Sequence, residues 1–210
     1  METAELATTA IPEQPARHLR VPLDLPGFTL NALSVRAFNH CYYHRISTQG
    51  RERMLSLARF LYPLDAILDW NRIYGRRGFY QFQCVLDDAA SPVGIRRLLE
   101  TISQSRAASF LAVLKTLGGE GQGYLSFPTR GYTLALDFPR RPDTKTLLAQ
   151  LESITLDHGG RIYLAKDACL SPLAFERMYP KLDKMREVLD EIDPEQRMMS
   201  DLARRLHIRN

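Results

Sequence analysis

The chain has 210 residues, 45% of them hydrophobic and 25% charged, which is long enough for one ordinary domain with a true core and too apolar for intrinsic disorder. Its formal charge of +4 comes from 28 basic and 24 acidic residues that are mostly interleaved; no basic stripe with aromatics marks a nucleic-acid partner, and surface solvation accounts for the charges. Cys41, Cys84 and Cys169 are scattered and odd in number, which argues against a disulfide framework. Without a signal-peptide core or a long apolar run, a cytoplasmic protein with no membrane span is expected.

Pro12, Pro15, Pro22, Pro26 and Gly27 make residues 1–29 an extended connector. Leu30, Leu33, Ala37 and Cys41 recur at helical spacing and predict a helix to His44, with Asn31 near its start. A second helix is predicted over Pro63–Tyr74, with Pro63 in its first turn and Gly75 as its stop. Gly78–Leu86 alternates with period two, a strand with Tyr80, Phe82, Cys84 and Leu86 on one face and Gln81, Gln83 and Val85 on the other. Ser91 and Pro92 suit the N-cap and first position of a helix to about Ser103. Strands are predicted over Ser109–Thr116 and Gly131–Phe138, on either side of the glycine-rich stretch 118–123. A helix over Thr144–Asp157 stops at Gly159-Gly160, and a fourth strand covers Arg161–Leu164. The remaining helices, Pro172–Met178, Pro180–Ile192 and Ser200–Leu206, form a tail with no further strand, so its packing partner is expected elsewhere.

The order β-α-β-β-α-β is the split pattern of a ferredoxin-like α+β domain. Residues 1–77 are therefore assigned to an extended segment and two flanking helices, 78–164 to the α+β domain, and 165–210 to the helical tail. Two helices cover one face of such a sheet and leave the other to solvent, ligand or another domain. If Tyr80, Phe82, Cys84 and Leu86 pack under the helices with Tyr132, Leu134, Leu136 and Phe138, then Gln81, Gln83, Thr133 and Ala135 lie on the open face. Lys115 places the alternate residues of the second strand there too. That face is either an ordinary solvated surface or a site for a hydroxyl-rich ligand, and Lys166, just past the last strand, is either a surface lysine or part of that site.

Other candidates carry less. The stretch GGEGQG lacks the Lys-Ser/Thr ending of a phosphate loop and joins two strands, so it reads as a hairpin connection. His40 and His44 are spaced to share a helix face, but no second cluster supplies the further ligands zinc requires, so no metal is assigned. No nucleophile-elbow motif surrounds a serine or cysteine.

Phe60-Leu61-Tyr62-Pro63-Leu64-Asp65, Trp70-Asn71-Arg72, Tyr74-Gly75, Phe82-Gln83, Leu125-Ser126-Phe127-Pro128, Gly131-Tyr132, Asp137-Phe138-Pro139, Gly159-Gly160-Arg161-Ile162-Tyr163, Ala165-Lys166-Asp167 and Asp201-Leu202-Ala203-Arg204-Arg205-Leu206 occur in order along the chain. Together they resemble the C-terminal half of vanillyl-alcohol-oxidase-type FAD-binding oxidoreductases, in particular the decaprenylphosphoryl-β-D-ribose 2-oxidase-like branch. The resemblance covers nearly all of residues 20–207. It implies a cap, or substrate, domain: Lys166 as the catalytic and flavin-proximal lysine, Tyr163 as the flavin-contacting tyrosine, and Gln81, Gln83, Lys115, Thr133 and Ala135 on the substrate side. Thr133 and Ala135 stand where mycobacterial members carry asparagine and cysteine, so the same substrate is not implied.

The family's N-terminal FAD-binding domain has no counterpart in these residues, and the tail after Lys166 belongs in the family to that domain. The expectation is thus the C-terminal half or subunit of an FAD-dependent oxidoreductase acting on a sugar or polyol hydroxyl, with FAD held through a separately encoded FAD-binding domain. The alternative is a non-catalytic ferredoxin-like binding module or an inactive fragment.

Overall fold

The computed structural model describes residues 18–44, 67–107 and 111–209. In chain order these form β1 (Leu19–Arg20), α1 (Ala32–His44), β2 (Ile67–Leu68), a 3-10 helix (Trp70–Tyr74), β3 (Phe79–Asp87), α2 (Ser91–Gln104), β4 (Ala112–Leu117), β5 (Gly131–Pro139), α3 (Thr144–Asp157), β6 (Arg161–Ile162), a 3-10 turn (Leu164–Lys166), α4 (Pro172–Met178), α5 (Leu182–Ile192) and α6 (Asp201–Arg205). The mixed α+β class follows directly. The main sheet is four-stranded and antiparallel throughout, in the order β4-β5-β3-β6.

The nine-residue pairing of β3 with β5, from Phe79 opposite Pro139 to Asp87 opposite Gly131, sets the face on which every side chain lies. Phe82, Cys84, Leu86, Leu134, Leu136 and Phe138 lie on one face and are buried with Ile95, Leu98 and Ile102 of α2 and Leu147, Leu148, Leu151 and Ile154 of α3. Both helices present their apolar residues at helical spacing because the alternating strand face needs a matching stripe. Ser91 is buried inside the first turn of α2, not at its cap. Its hydroxyl donates to the Leu86 and Asp87 carbonyls (2.9 and 2.6 Å) and ties the helix to the end of β3.

Three expectations are corrected. The predicted helix over Pro63–Tyr74 is, in its described part, the short strand β2 followed by a 3-10 helix; 63–66 lie outside the described residues, as do Phe60–Asp65 of the quoted motifs. Two residues of β2 pair in parallel with β1, and the Arg72 carbonyl accepts from Leu25 N (2.9 Å), so the connector competes successfully for this backbone. The fourth strand ends at Ile162, and Tyr163 to Lys166 turn out of the sheet. The tail finds its partner within the chain itself. Leu170, Ala174, Phe175, Met178, Tyr179, Leu182, Leu206 and Ile208 join the same buried cluster as the sheet and its helices. α1 begins as predicted, with Asn31 Oδ1 accepting from Leu33 N and Ser34 N, yet it buries none of its side chains.

Phe175 is fully buried at the junction of tail and sheet. Phe175→Ala should destabilise the whole unit by about 3–5 kcal/mol. Urea unfolding followed by helical circular dichroism and by Trp70 fluorescence should then show coincident transitions shifted together; a Trp70 transition left at the wild-type midpoint would show the tail to be a separate unit. Cys84 is also fully buried, and burial pushes its thiol up to about 12, whereas Cys41 is exposed. Below that pH Cys84 remains a neutral thiol, so at mildly alkaline pH mass spectrometry should find Cys41 alkylated quickly and Cys84 only as the protein unfolds. Equal labelling rates would contradict the burial.

Candidate functional site

The face of the sheet opposite the helices carries Phe79, Gln81, Gln83 and Val85 of β3. Directly opposite or beside them stand Thr133, Ala135 and Asp137 of β5, and Val113 and Lys115 of β4 pair with Ala135 and Thr133. The sheet register thus brings Gln81, Gln83, Lys115, Thr133 and Ala135 to one surface. They are not equivalent there. Lys115 is exposed on the edge strand, the glutamines and Ala135 are half-buried, and Thr133 is buried.

Side-chain hydrogen bonds order this surface. Gln81 Nε2 donates to Asp137 Oδ1 (3.1 Å), and Gln83 Nε2 donates to Thr133 Oγ1 (3.0 Å). Each glutamine therefore spends an amide donor on the neighbouring strand, and its side-chain carbonyl accepts no hydrogen bond from the described residues. Two fixed acceptors on a half-buried surface suit hydroxyl donors. Thr133 holds Gln83 in place, and its burial gives it a supporting part instead of an exposed contact.

Lys166 reaches this face by a defined route. Gly159 takes a positive φ of 65°, and a Cβ on Gly160 would come within 2.5 Å of the Val85 carbonyl oxygen, so the paired glycines let the chain reverse tightly against β3. Tyr163 N then donates to the Gln83 carbonyl (2.8 Å), and the chain leaves the sheet in a 3-10 turn closed by Lys166 N to Tyr163 O (3.1 Å). Asp167 pins the turn. Its carboxylate accepts from Cys169 N and Leu170 N (2.8 and 2.7 Å) and pairs with Arg205 at 2.6 Å. The half-buried Lys166 is thereby set near Asp137. Burial raises the Asp137 carboxyl above its ordinary range, while the Gln81 hydrogen bond and then the Lys166 charge pull it down.

Tyr163 lies against Phe127, ring centroids 4.6 Å apart. Phe127 is carried by the β4–β5 connection, which Arg161 fastens: its guanidinium donates to the Ser126 carbonyl (2.9 Å) and pairs with Glu120 (3.1 Å) above the ring of Tyr179. The Arg161 hydrogen bond, aided by Lys181, holds the Glu120 carboxyl below its usual range. At the other end of the face, Phe79 packs on Tyr74 (4.5 Å) and Trp70 (5.3 Å).

Sequence reasoning missed Asp137 and this aromatic wall. Alternation places Asp137 two residues beyond Ala135 on the same face, so its signal was present; the wall was hidden by the helix expected there. Among the described residues no three His, Cys, Asp or Glu side chains converge as a metal site, and no helix is long and apolar enough to cross a membrane.

Comparison with known proteins gives this face a context: the chain is similar in sequence to oxidases, and the match is consistent with the C-terminal part of an FAD-binding oxidase. Residues 131–206 match the family described as D-arabinono-1,4-lactone oxidase. The chain is 33% identical over 190 residues to decaprenylphosphoryl-beta-D-ribose oxidase of Mycolicibacterium smegmatis, covering 90% of this chain and 41% of that protein. It is 34% identical over 169 residues to an uncharacterized protein in the mprA 5′ region of Streptomyces coelicolor, covering 80% of this chain and 45% of that one. The chain thus spans less than half the length of these relatives.

The Arg161 fastening has a measurable consequence. Arg161→Gln should speed hydrogen exchange of the 118–128 amides roughly tenfold, the loss of about one net charge-assisted hydrogen bond, while β3 and β5 amides stay protected. Unchanged exchange in the loop would show that other contacts hold it.

Proposed function

We propose that this chain is the substrate-side half or subunit of an FAD-dependent oxidoreductase that oxidises a sugar or polyol hydroxyl. The observation that carries the reading is the placement of Lys166 beside the Gln81–Gln83–Asp137 surface. The domain at 78–164 is read as a ferredoxin-like cap. The names of its relatives refer to a sugar lactone and a ribose derivative, which favours a substrate rich in hydroxyls.

The residues present suit one side of a flavin. Bound there, FAD would supply the two-electron acceptor for the carbon that bears the hydroxyl. Lys166 would place a fixed cation where negative charge develops, an interaction stronger in a water-poor site than in solution. Tyr163, braced by Phe127, would present an aromatic ring and a hydroxyl to the same group. The carbonyl oxygens of Gln81 and Gln83 would accept from substrate hydroxyls and orient the reacting carbon. Lys115, exposed on the edge strand, would lie at the entrance, and Ala135 leaves room at the centre. The pyrophosphate-binding part of the cofactor site would be supplied by a further FAD-binding domain or subunit.

The test is assembly with an FAD-binding partner polypeptide and anaerobic mixing with candidate sugars, followed through the flavin absorbance. A yellow complex is expected, and Lys166→Met should slow flavin reduction by about 10²–10³-fold with an unchanged melting temperature. Wild-type reduction rates in that variant would remove Lys166 from the chemistry. A colourless chain that never associates with such a partner would favour the non-catalytic binding module.

A further inference from the structure

Two cavities lie away from the glutamine-bearing face. One, of about 520 Å³, is a groove lined by Arg76, Arg77, Arg140, Arg141 and Lys145, with Tyr80 as its aromatic floor. The groove forms where β3 begins and β5 ends. Arg140 N donates to the Gly78 carbonyl (3.0 Å), which draws two arginine pairs distant in sequence into one cluster. Lys145 adds a cation in the first turn of α3, a helix of 14 residues whose N-terminal dipole has the same sign.

Several arginines elsewhere on the surface are paired with acidic groups. Arg97, Arg130, Arg186 and Arg204 each face a carboxylate, at 4.0, 3.1, 3.0 and 3.1 Å respectively. In the groove only Arg76 does, at 3.9 Å from Asp24 and with its own side chain 91% exposed. Arg141 donates to the Leu30 carbonyl, and Arg140 lies 5.4 Å over the Tyr80 ring. Arg77, Arg140 and Lys145 have no acidic partner among the described residues. Like charges gathered in a concave site repel one another and focus a positive potential, which an anion relieves.

We propose that this groove binds a phosphoryl group. Several guanidinium forks offer paired donors at the spacing of phosphate oxygens, and the helix N-terminus adds to them. A second cavity of about 580 Å³ shares the four arginines and continues past Leu25, Phe28, Leu30 and Ile73, with Phe28 76% exposed. The phosphoryl group can therefore belong to a soluble ester or to the headgroup of an anionic lipid whose apolar part meets that cleft. The site is independent of the flavin reading, because it shares no residue with the glutamine-bearing face.

The test uses the full chain with two probes, pyrophosphate by calorimetry and vesicles of phosphatidylcholine with or without phosphatidylglycerol by sedimentation. Each basic residue near an anionic surface contributes roughly fivefold to binding. The exposed pair Arg77→Gln/Arg140→Gln should therefore lose about 25-fold, whereas Arg97→Gln/Arg130→Gln, the same charge change outside the groove, should lose no more than about twofold. Binding to pyrophosphate alone assigns a soluble ester, and binding to phosphatidylglycerol vesicles alone assigns a headgroup; either upholds the site. Failure of the wild type to bind both probes, or equal losses in the two double variants, overturns it.

Discussion

The antiparallel ladder between β3 and β5 is the constraint on which the rest depends. Its nine opposed pairs put Phe82, Cys84, Leu134 and Leu136 under two helices and, by the same pleat, put Gln81, Gln83, Ala135 and Asp137 on the other side. A slip of one residue would bury the glutamines against α2 and α3 and expose the phenylalanines. Core and candidate site are therefore two consequences of one register, and neither can be altered alone. Gly131 at the ladder's end shows how close the strands must come: a Cβ there would stand 2.0 Å from the Leu86 carbonyl oxygen.

Charge is used in two distinct ways. Near the glutamine-bearing face it is paired and positional. Asp167, its side chain 6% exposed, anchors the turn that bears Lys166 through Arg205 and two backbone amides, and Arg161 joins a loop to β6 through Glu120. A buried carboxylate is costly unless its oxygens are occupied, and Asp167 meets that cost with charge-assisted bonds that also define the geometry of its neighbour. At the arginine groove charge is concentrated and largely without carboxylate partners, an arrangement that suits an anion from outside, even as Arg141 ties Leu30 to the end of β5.

The tail changes how the chain is viewed as a unit. Tyr179, fully buried, donates its hydroxyl to the Ile162 carbonyl at 2.6 Å, and Phe175 and Met178 pack in the same cluster as α3 and the sheet. Although the chain spans less than half of its relatives' length, its core is continuous from β3 to Ile208. The turn carrying Lys166 lies between sheet and tail and is held from both sides, so the amine's position is a property of the combined core.

Local pattern determined much of this protein. Period-two alternation and helical spacing located β3, β5, α2, α3 and α4 within a residue or two, because each of those segments buries one face and its side chains must repeat accordingly. The same alternation grouped Gln81, Gln83, Thr133, Ala135 and Lys115, and would have added Asp137. What it could not convey is which groups from remote segments meet. The 3-10 helix at Trp70–Tyr74 replaced a predicted helix because residues near Val21 and Leu25 compete for its backbone hydrogen bonds. The arginine pairs at 76–77 and 140–141 looked like solvated charges within a balanced composition until β3 and β5 set their strand ends side by side. Secondary structure and the face of each strand residue follow from local periodicity, which sequence alone contains; the neighbours of Lys166, the attachment of the tail and the basic groove are long-range contacts, decided only when the sheet closes and the helices pack upon it.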